Sequence, residues 1–251
     1  MSLRSSPAIL LRSYPYSETS QILRFYTLSN GVLGAMAKGV RKAGGRRGAP
    51  LSTFSEGLLE VQFKETRDLQ TFRDFSVTKT RRGLGSHPVR LAGGSVLGEL
   101  VLQYAESEEN PELFHSLSLG LDALEDVKLE TFPSVLLAQL WSLVRRLGFG
   151  PLVHGCVECG RAFHDEEVAR FDFASGGLRC PSCQGDVTGP RLGPQARSHL
   201  EALLDGEVPV DLLRPETHLR LASDFITYHI SGGQPLRSLT FLANLTRGID
   251  A

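Results

Sequence analysis

Cysteine occurs at four positions only, Cys156, Cys159, Cys180 and Cys183. They form two C-x-x-C hooks, "CVEC" and "CPSC", with 20 residues between them. Each hook turns two sulfurs towards one point, and a hairpin between the hooks brings all four together. Four thiolates fill a tetrahedron around zinc, or an equivalent metal, and leave no position for a reacting water. The chemistry this spacing supports is structural. The competing state is two reduced dithiols without metal. Disulfides are disfavoured, because "MSLRSSPAILLRSYPYSET" does not read as a secretory signal, and a cytoplasmic chain sits in a reducing compartment.

A catalytic alternative starts from His164-Asp165-Glu166, an H-x-E followed by a C-x-x-C as in zinc deaminases. That signature places proline before the first cysteine, where this chain has Arg179, with Pro181 after it. Only 13 residues separate Glu166 from Cys180, and Cys156 and Cys159 would have no role. His164 therefore reads as an exposed turn residue, with His154 an unneeded substitute ligand. No G-x-S-x-G nucleophile turn and no Gly-Lys dipeptide of a P-loop occur. No catalytic constellation emerges, and the chain is not expected to be an enzyme.

The ribbon's own charge argues against a phosphate contact there. From Cys156 to Cys183, Arg161, Arg170 and Arg179 stand against Glu158, Asp165, Glu166, Glu167 and Asp172. Four thiolates on one zinc add two further negative charges. The basic residues lie elsewhere. Residues 1–90 hold 15 Lys or Arg against 6 Asp or Glu, and the remainder holds 12 against 22. The segment "AKGVRKAGGRRG" puts Lys38, Arg41, Lys42, Arg46 and Arg47 among four glycines. Such a segment suits a phosphate contact that ignores base sequence. Lys79, Arg81 and Arg82 could extend the same surface. Tyr14, Phe25 and Tyr26 are candidates for base stacking. Phe25 and Tyr26 face opposite sides of one strand, so at most one of them is free.

The elements that must position these residues change period along the chain. Five short strands, about 8–14, 21–27, 32–38, 57–64 and 69–80, are separated by Pro, Asn-Gly and Gly-rich turns. They fit an OB-type barrel, and strand count alone also allows an SH3-like one. From Pro88 the apolar spacing becomes helical, with three helices before the cysteines and two or three after them. The expected organisation is a multidomain α+β chain. A barrel over residues 1–82 precedes a helical domain over 83–153 and 190–251, interrupted by a zinc ribbon at 154–189.

The stretch from Tyr14 to Phe54 is similar to the N-terminal region of the RecO family of bacterial recombination mediators. A polar turn at Ser17 to Thr19 precedes a Leu28-to-Gly31 turn, the Ala37-to-Lys42 basic segment and a Leu51-x-x-Phe54. The later four-cysteine ribbon inside a helical domain is similar too. The resemblance implies an N-terminal OB fold that binds single- and double-stranded DNA and anneals complementary strands without ATP. It also implies partnership with RecR and with the acidic tail of single-stranded DNA-binding protein, to help load RecA at the nucleoid. Lys38, Arg41 and Lys42 match the family's basic segment, and Arg46 and Arg47 depart from its usual continuation. A groove for the acidic tail would need a basic residue beside apolar surface, for which Arg145 or Arg146 beside Trp141 is the candidate. The alternative is an adaptor whose basic barrel meets an acidic protein rather than DNA.

Overall fold

The structure, a computed structural model, describes residues 2–38 and 51–247. Its N-terminal part is five strands, β1 (Ser2–Pro15), β2 (Gln21–Thr27), β3 (Gly31–Ala37), β4 (Glu56–Phe63) and β5 (Leu69–Lys79). They close into a barrel in the order β1-β2-β3-β5-β4. All pairings are antiparallel except β3 with β5, which run parallel over Gly34–Met36 and Leu69–Thr71. Alternation of side chains along each strand sends one set inward. Ala8, Leu10, Leu23, Phe25, Leu33, Ala35, Leu59, Val61, Phe72 and Phe75 make that core. An irregularity in β1 between Leu10 and Arg12 shifts the register with β2. Ile9, opposite Tyr26, and Leu11, beside Gly98 of the following helix, are buried as well as Leu10.

A short 3-10 turn (Arg82–Ser86) leads to α1 (Pro88–Tyr104) and α2 (Pro111–Asp126). The sequence of α1, "PVRLAGGSVLGELVLQY", is apolar around most of its circumference, and the helix is largely buried. Its glycines have a steric purpose. A Cβ on Gly94 would sit 3.1 Å from the ring of Phe54, itself buried with φ 70°. At the β2–β3 turn Gly31 adopts φ 58°, and a Cβ there would meet the carbonyl of Glu106 at 2.1 Å.

The remaining elements are α3 (Phe132–Arg146), β6 (Ala169–Asp172), β7 (Gly177–Arg179), β8 (Arg191–Leu192), α4 (Pro194–Leu204), α5 (Pro215–His229) and α6 (Arg237–Arg247). The three short strands form one antiparallel sheet in the order β7-β6-β8. Phe171 of β6 meets Phe225 of α5 edge-on at 6.0 Å, and Phe225 lies 5.4 Å from the fully buried Trp141 of α3. The ribbon and the helices thus share one apolar core. Two compact units divide the chain, the first running to Asp126 and the second from Val127 to Asn244. The first holds α1 and α2 together with the barrel. Among the described residues, no helix is long and apolar enough to cross a membrane.

Candidate metal centre and nucleic-acid surface

Each cysteine hook sits in a tight turn. Gly160 N–H donates to the carbonyl of Cys156 at 2.8 Å, and Cys183 N–H to that of Cys180 at 2.9 Å. The four Sγ atoms lie within 4.8 Å of one another, with Cys159 and Cys180 4.0 Å apart. Zinc–sulfur bonds of about 2.3 Å in a tetrahedron put sulfurs just under 4 Å apart, so the four fit one ion. Cys156 and Cys180 are buried, Cys183 is half-buried and Cys159 is exposed. Burial opposes ionising Cys156, yet the backbone N–H groups of Cys159, Cys180 and Glu158 outweigh it and bring its thiol down to about 6. Its neighbours Cys180 and Cys159 push the Cys183 thiol up to about 12. Crowded sulfurs cannot all carry charge, and a cation that replaces their protons relieves that conflict.

The ribbon's arginines are spent within it. Arg161 forks onto the Glu167 carboxylate, Nη1 to Oε2 at 2.9 Å and Nη2 to Oε1, and holds that carboxyl down to about 2. Arg179 donates to Asp172 at 2.7 Å and pairs with Glu158 at 3.1 Å. Arg170 donates to the carbonyls of Val187 and Gly189. His164 and Glu166 are exposed, and neither joins the sulfur cluster. His154 is 3.7 Å from Glu201 and is not part of the cluster either.

On the barrel, one basic side chain is wholly internal. The Arg81 side chain is 0% exposed. Its Nε donates to Asp122 of α2 at 2.7 Å, Nη1 to the carbonyl of Phe54 at 2.8 Å, and Nη2 to Glu56 of β4 at 2.7 Å. Nη2 also donates to Ser118 Oγ at 2.8 Å, and that hydroxyl donates to Glu56 at 2.6 Å. Lys79 pairs with the second oxygen of Asp122 at 2.7 Å. Burial works against ionising Asp122, but the Lys79 and Arg81 hydrogen bonds hold its carboxyl below the usual range.

Family models cover nearly all of the chain. Residues 1–81 match "Recombination protein O N terminal" and residues 85–240 match "Recombination protein O C terminal". The chain belongs to the RecO family. It is similar to the DNA repair protein RecO of Rubrobacter xylanophilus, 31% identical over 187 residues, 74% of each chain. It is also similar to that of Desulfatibacillum aliphaticivorans, 28% identical over 254 residues and 97% of each chain. The RecO of Symbiobacterium thermophilum is 30% identical over 213 residues, 83% of this chain and 82% of the relative.

In this RecO-family chain the expected contact residues separate into three groups. Lys38 is exposed just beyond β3, while Arg41, Lys42, Arg46 and Arg47 lie outside the described residues. Arg82 is exposed, but Arg81 is not a surface residue. Its guanidinium joins β4 to α2, which corrects its assignment to a DNA surface. Lys79 is half-exposed with its charge already matched by Asp122. Among the stacking candidates Tyr14 is 40% exposed, whereas Phe25 and Tyr26 are both 0% exposed. They do face opposite sides of β2, Phe25 into the barrel and Tyr26 outward. The outward ring is covered by Phe114 of α2, stacked at 6.2 Å, and burial pushes its phenol up to about 12. Neither can stack a base. Nor do Trp141 and Arg145 make a groove, since Trp141 is fully buried and Arg145 pairs with Asp205.

Two arginines absent from the expected set lie on the open part of the same wall. Arg12 of β1 stands directly opposite Arg24 of β2, which in turn stands opposite Gly34 of β3. In the next row Tyr14 faces Ile22, and Ile22 faces Met36. The signal was present in the strand alternation, because Leu23 and Phe25 point inward and so Ile22 and Arg24 point outward.

Proposed function

We propose that this protein acts in DNA repair and recombination by binding single- and double-stranded DNA through its barrel and annealing complementary strands without ATP. In the same reading it works with RecR and single-stranded DNA-binding protein to help load RecA, and it acts by binding rather than catalysis. The observation that carries the DNA assignment is the exit of β3, which delivers the exposed Lys38 into the basic segment Lys38–Arg47 of a RecO-family chain. Strand order and the single parallel pairing of β3 with β5 support reading the barrel as an OB fold, whose outer face and loops hold oligonucleotides. The sulfur cluster is read as a structural zinc site, because four cysteines leave no open coordination position and the surrounding arginines are internally paired.

The test is a salt-dependent titration of the full chain with DNA. Replacing Lys38, Arg41 and Lys42 together by Ala should weaken binding to all sequences alike and lower the slope of log affinity against log salt by about 2 for single strands. Unchanged affinity would place the DNA contact elsewhere. Absence of any DNA binding by the unaltered chain would favour an acidic protein as the barrel's partner.

A further inference from the structure

The outer wall of β1, β2 and β3 carries an arrangement that the fold itself does not require. Arg12 and Arg24 oppose one another directly across the ladder, on the face away from the core residues Leu23 and Phe25. Directly opposed like charges destabilise a sheet. Among the described residues neither guanidinium forms an ion pair, although the barrel pairs Arg81 and Lys79 completely. The neighbouring row on this wall is apolar and aromatic. Tyr14, Ile22 and Met36 stand side by side there, with the Arg12 guanidinium 5.2 Å from the centre of the Tyr14 ring. Ile22 and Met36 are half-buried, and Lys38 follows Met36 by two residues on the outward side.

On the other side of the barrel, which also carries the exposed Arg73, the directly opposed pair is acidic. Glu60 of β4 stands opposite Asp74 of β5, both outside the core set. A polyanion is attracted to the arginine pair and repelled by the acidic one. We propose that the outer wall of β1–β2–β3 is a track for single-stranded nucleic acid. Arg12 and Arg24 take its phosphates, and the Tyr14–Ile22–Met36 row takes the faces of its bases. A duplex hides its base faces in its own stack, so only the phosphate half of this surface can serve it. The inference rests on the DNA-binding reading and adds to it a strand preference, a set of residues and a path that ends at Lys38.

Three full-length variants test it, with a labelled thymidine oligonucleotide and a duplex of the same length as probes. Arg12→Gln with Arg24→Gln should lower single-strand affinity about tenfold at modest salt and reduce the salt slope by about 1.4. The same double variant should melt at the parent temperature or above it, because the change relieves an opposed like-charge pair. Tyr14→Leu should lower single-strand affinity about tenfold and leave duplex affinity unchanged. Parental single-strand affinity in the arginine variant overturns the track, as does a lowered melting temperature, which would make the pair structural. An equal loss on both probes for Tyr14→Leu also overturns it. The third variant, Lys38→Ala with Arg41→Ala and Lys42→Ala, separates the two levels. If it weakens binding while the arginine pair does not, DNA binding stands and the track is wrong. If the parent protein binds neither probe, both fail together.

Discussion

Arg81 and the Arg12–Arg24 pair belong to the same barrel and have opposite surroundings. Arg81 is sealed from water and meets two carboxylates, two carbonyls and a hydroxyl. Arg12 and Arg24 stand opposite each other across the β1–β2 ladder, and among the described residues neither meets a carboxylate. A basic residue whose charge is fully answered by its own chain has little left for a phosphate, since binding would have to break the existing pairs. One left unanswered beside another is a standing cost that a polyanion can remove. The ribbon repeats the first pattern, with Arg161 on Glu167 and Arg179 on Asp172. The count of Lys and Arg along a segment therefore says less about ligand binding than the count that remains unmatched after folding.

The contrast can be broken most severely at the ribbon. Cys180→Ser should remove several kcal/mol from the unfolding free energy of the second unit, since structural zinc contributes on the order of 10 kcal/mol in small metal-dependent folds. Urea unfolding and zinc content should both register the loss, while the DNA affinity of the folded fraction is unchanged. Loss of DNA affinity at full stability would make the ribbon part of the binding surface. Next comes Arg81→Met, which leaves Asp122 with Lys79 alone and Glu56 with the Ser118 hydroxyl. Removing one member of a buried pair costs about 3–5 kcal/mol, and here about 3 is expected because both carboxylates keep some contact with water. A stable Arg81→Met protein with weakened DNA binding would reverse the comparison. The smallest effect belongs to Lys79→Ala. An exposed pair contributes about 0.5 kcal/mol or less, so the melting temperature should barely move. DNA affinity should change by no more than about twofold, because the Lys79 charge is already matched by Asp122.

Much of the scaffold is readable from local pattern. The strand expected at 21–27 is β2 (Gln21–Thr27), and those expected at 32–38, 57–64 and 69–80 are displaced or shortened by a single residue. Period-2 alternation fixes those elements, and the proline and glycine turns bound them. β1 begins six residues earlier than its apolar run, because Ser2–Ser6 are held by pairing with β4 rather than by burial. The cysteine spacing likewise anticipates four clustered sulfurs. What local pattern does not contain is the cover that one element gives another. Alternation places Tyr26 on the outer face, but only the fold brings Phe114 over it. Arg81 looks like one of three basic residues at a strand end, and its partners lie 25 to 41 residues away in sequence. Arg12 and Arg24 were overlooked for the converse reason. They are isolated in the sequence and become a pair only through the β1–β2 register.

The three-residue parallel seam between β3 and β5 bears on how the barrel is made. Parallel neighbours cannot be joined by a hairpin, and Gly34–Met36 meet Leu69–Thr71 across a crossover that contains β4. The antiparallel pairs β1–β2, β2–β3 and β4–β5 join strands adjacent in sequence, whereas β3–β5 and β1–β4 join strands distant in sequence, so these two seams are expected to close the barrel late and slowly. The β3–β5 seam is the shortest join in the ring, and it borders the strand that carries Met36 to the basic segment. Whatever holds β3 in place from outside therefore acts on the kinetic lifetime of the whole barrel.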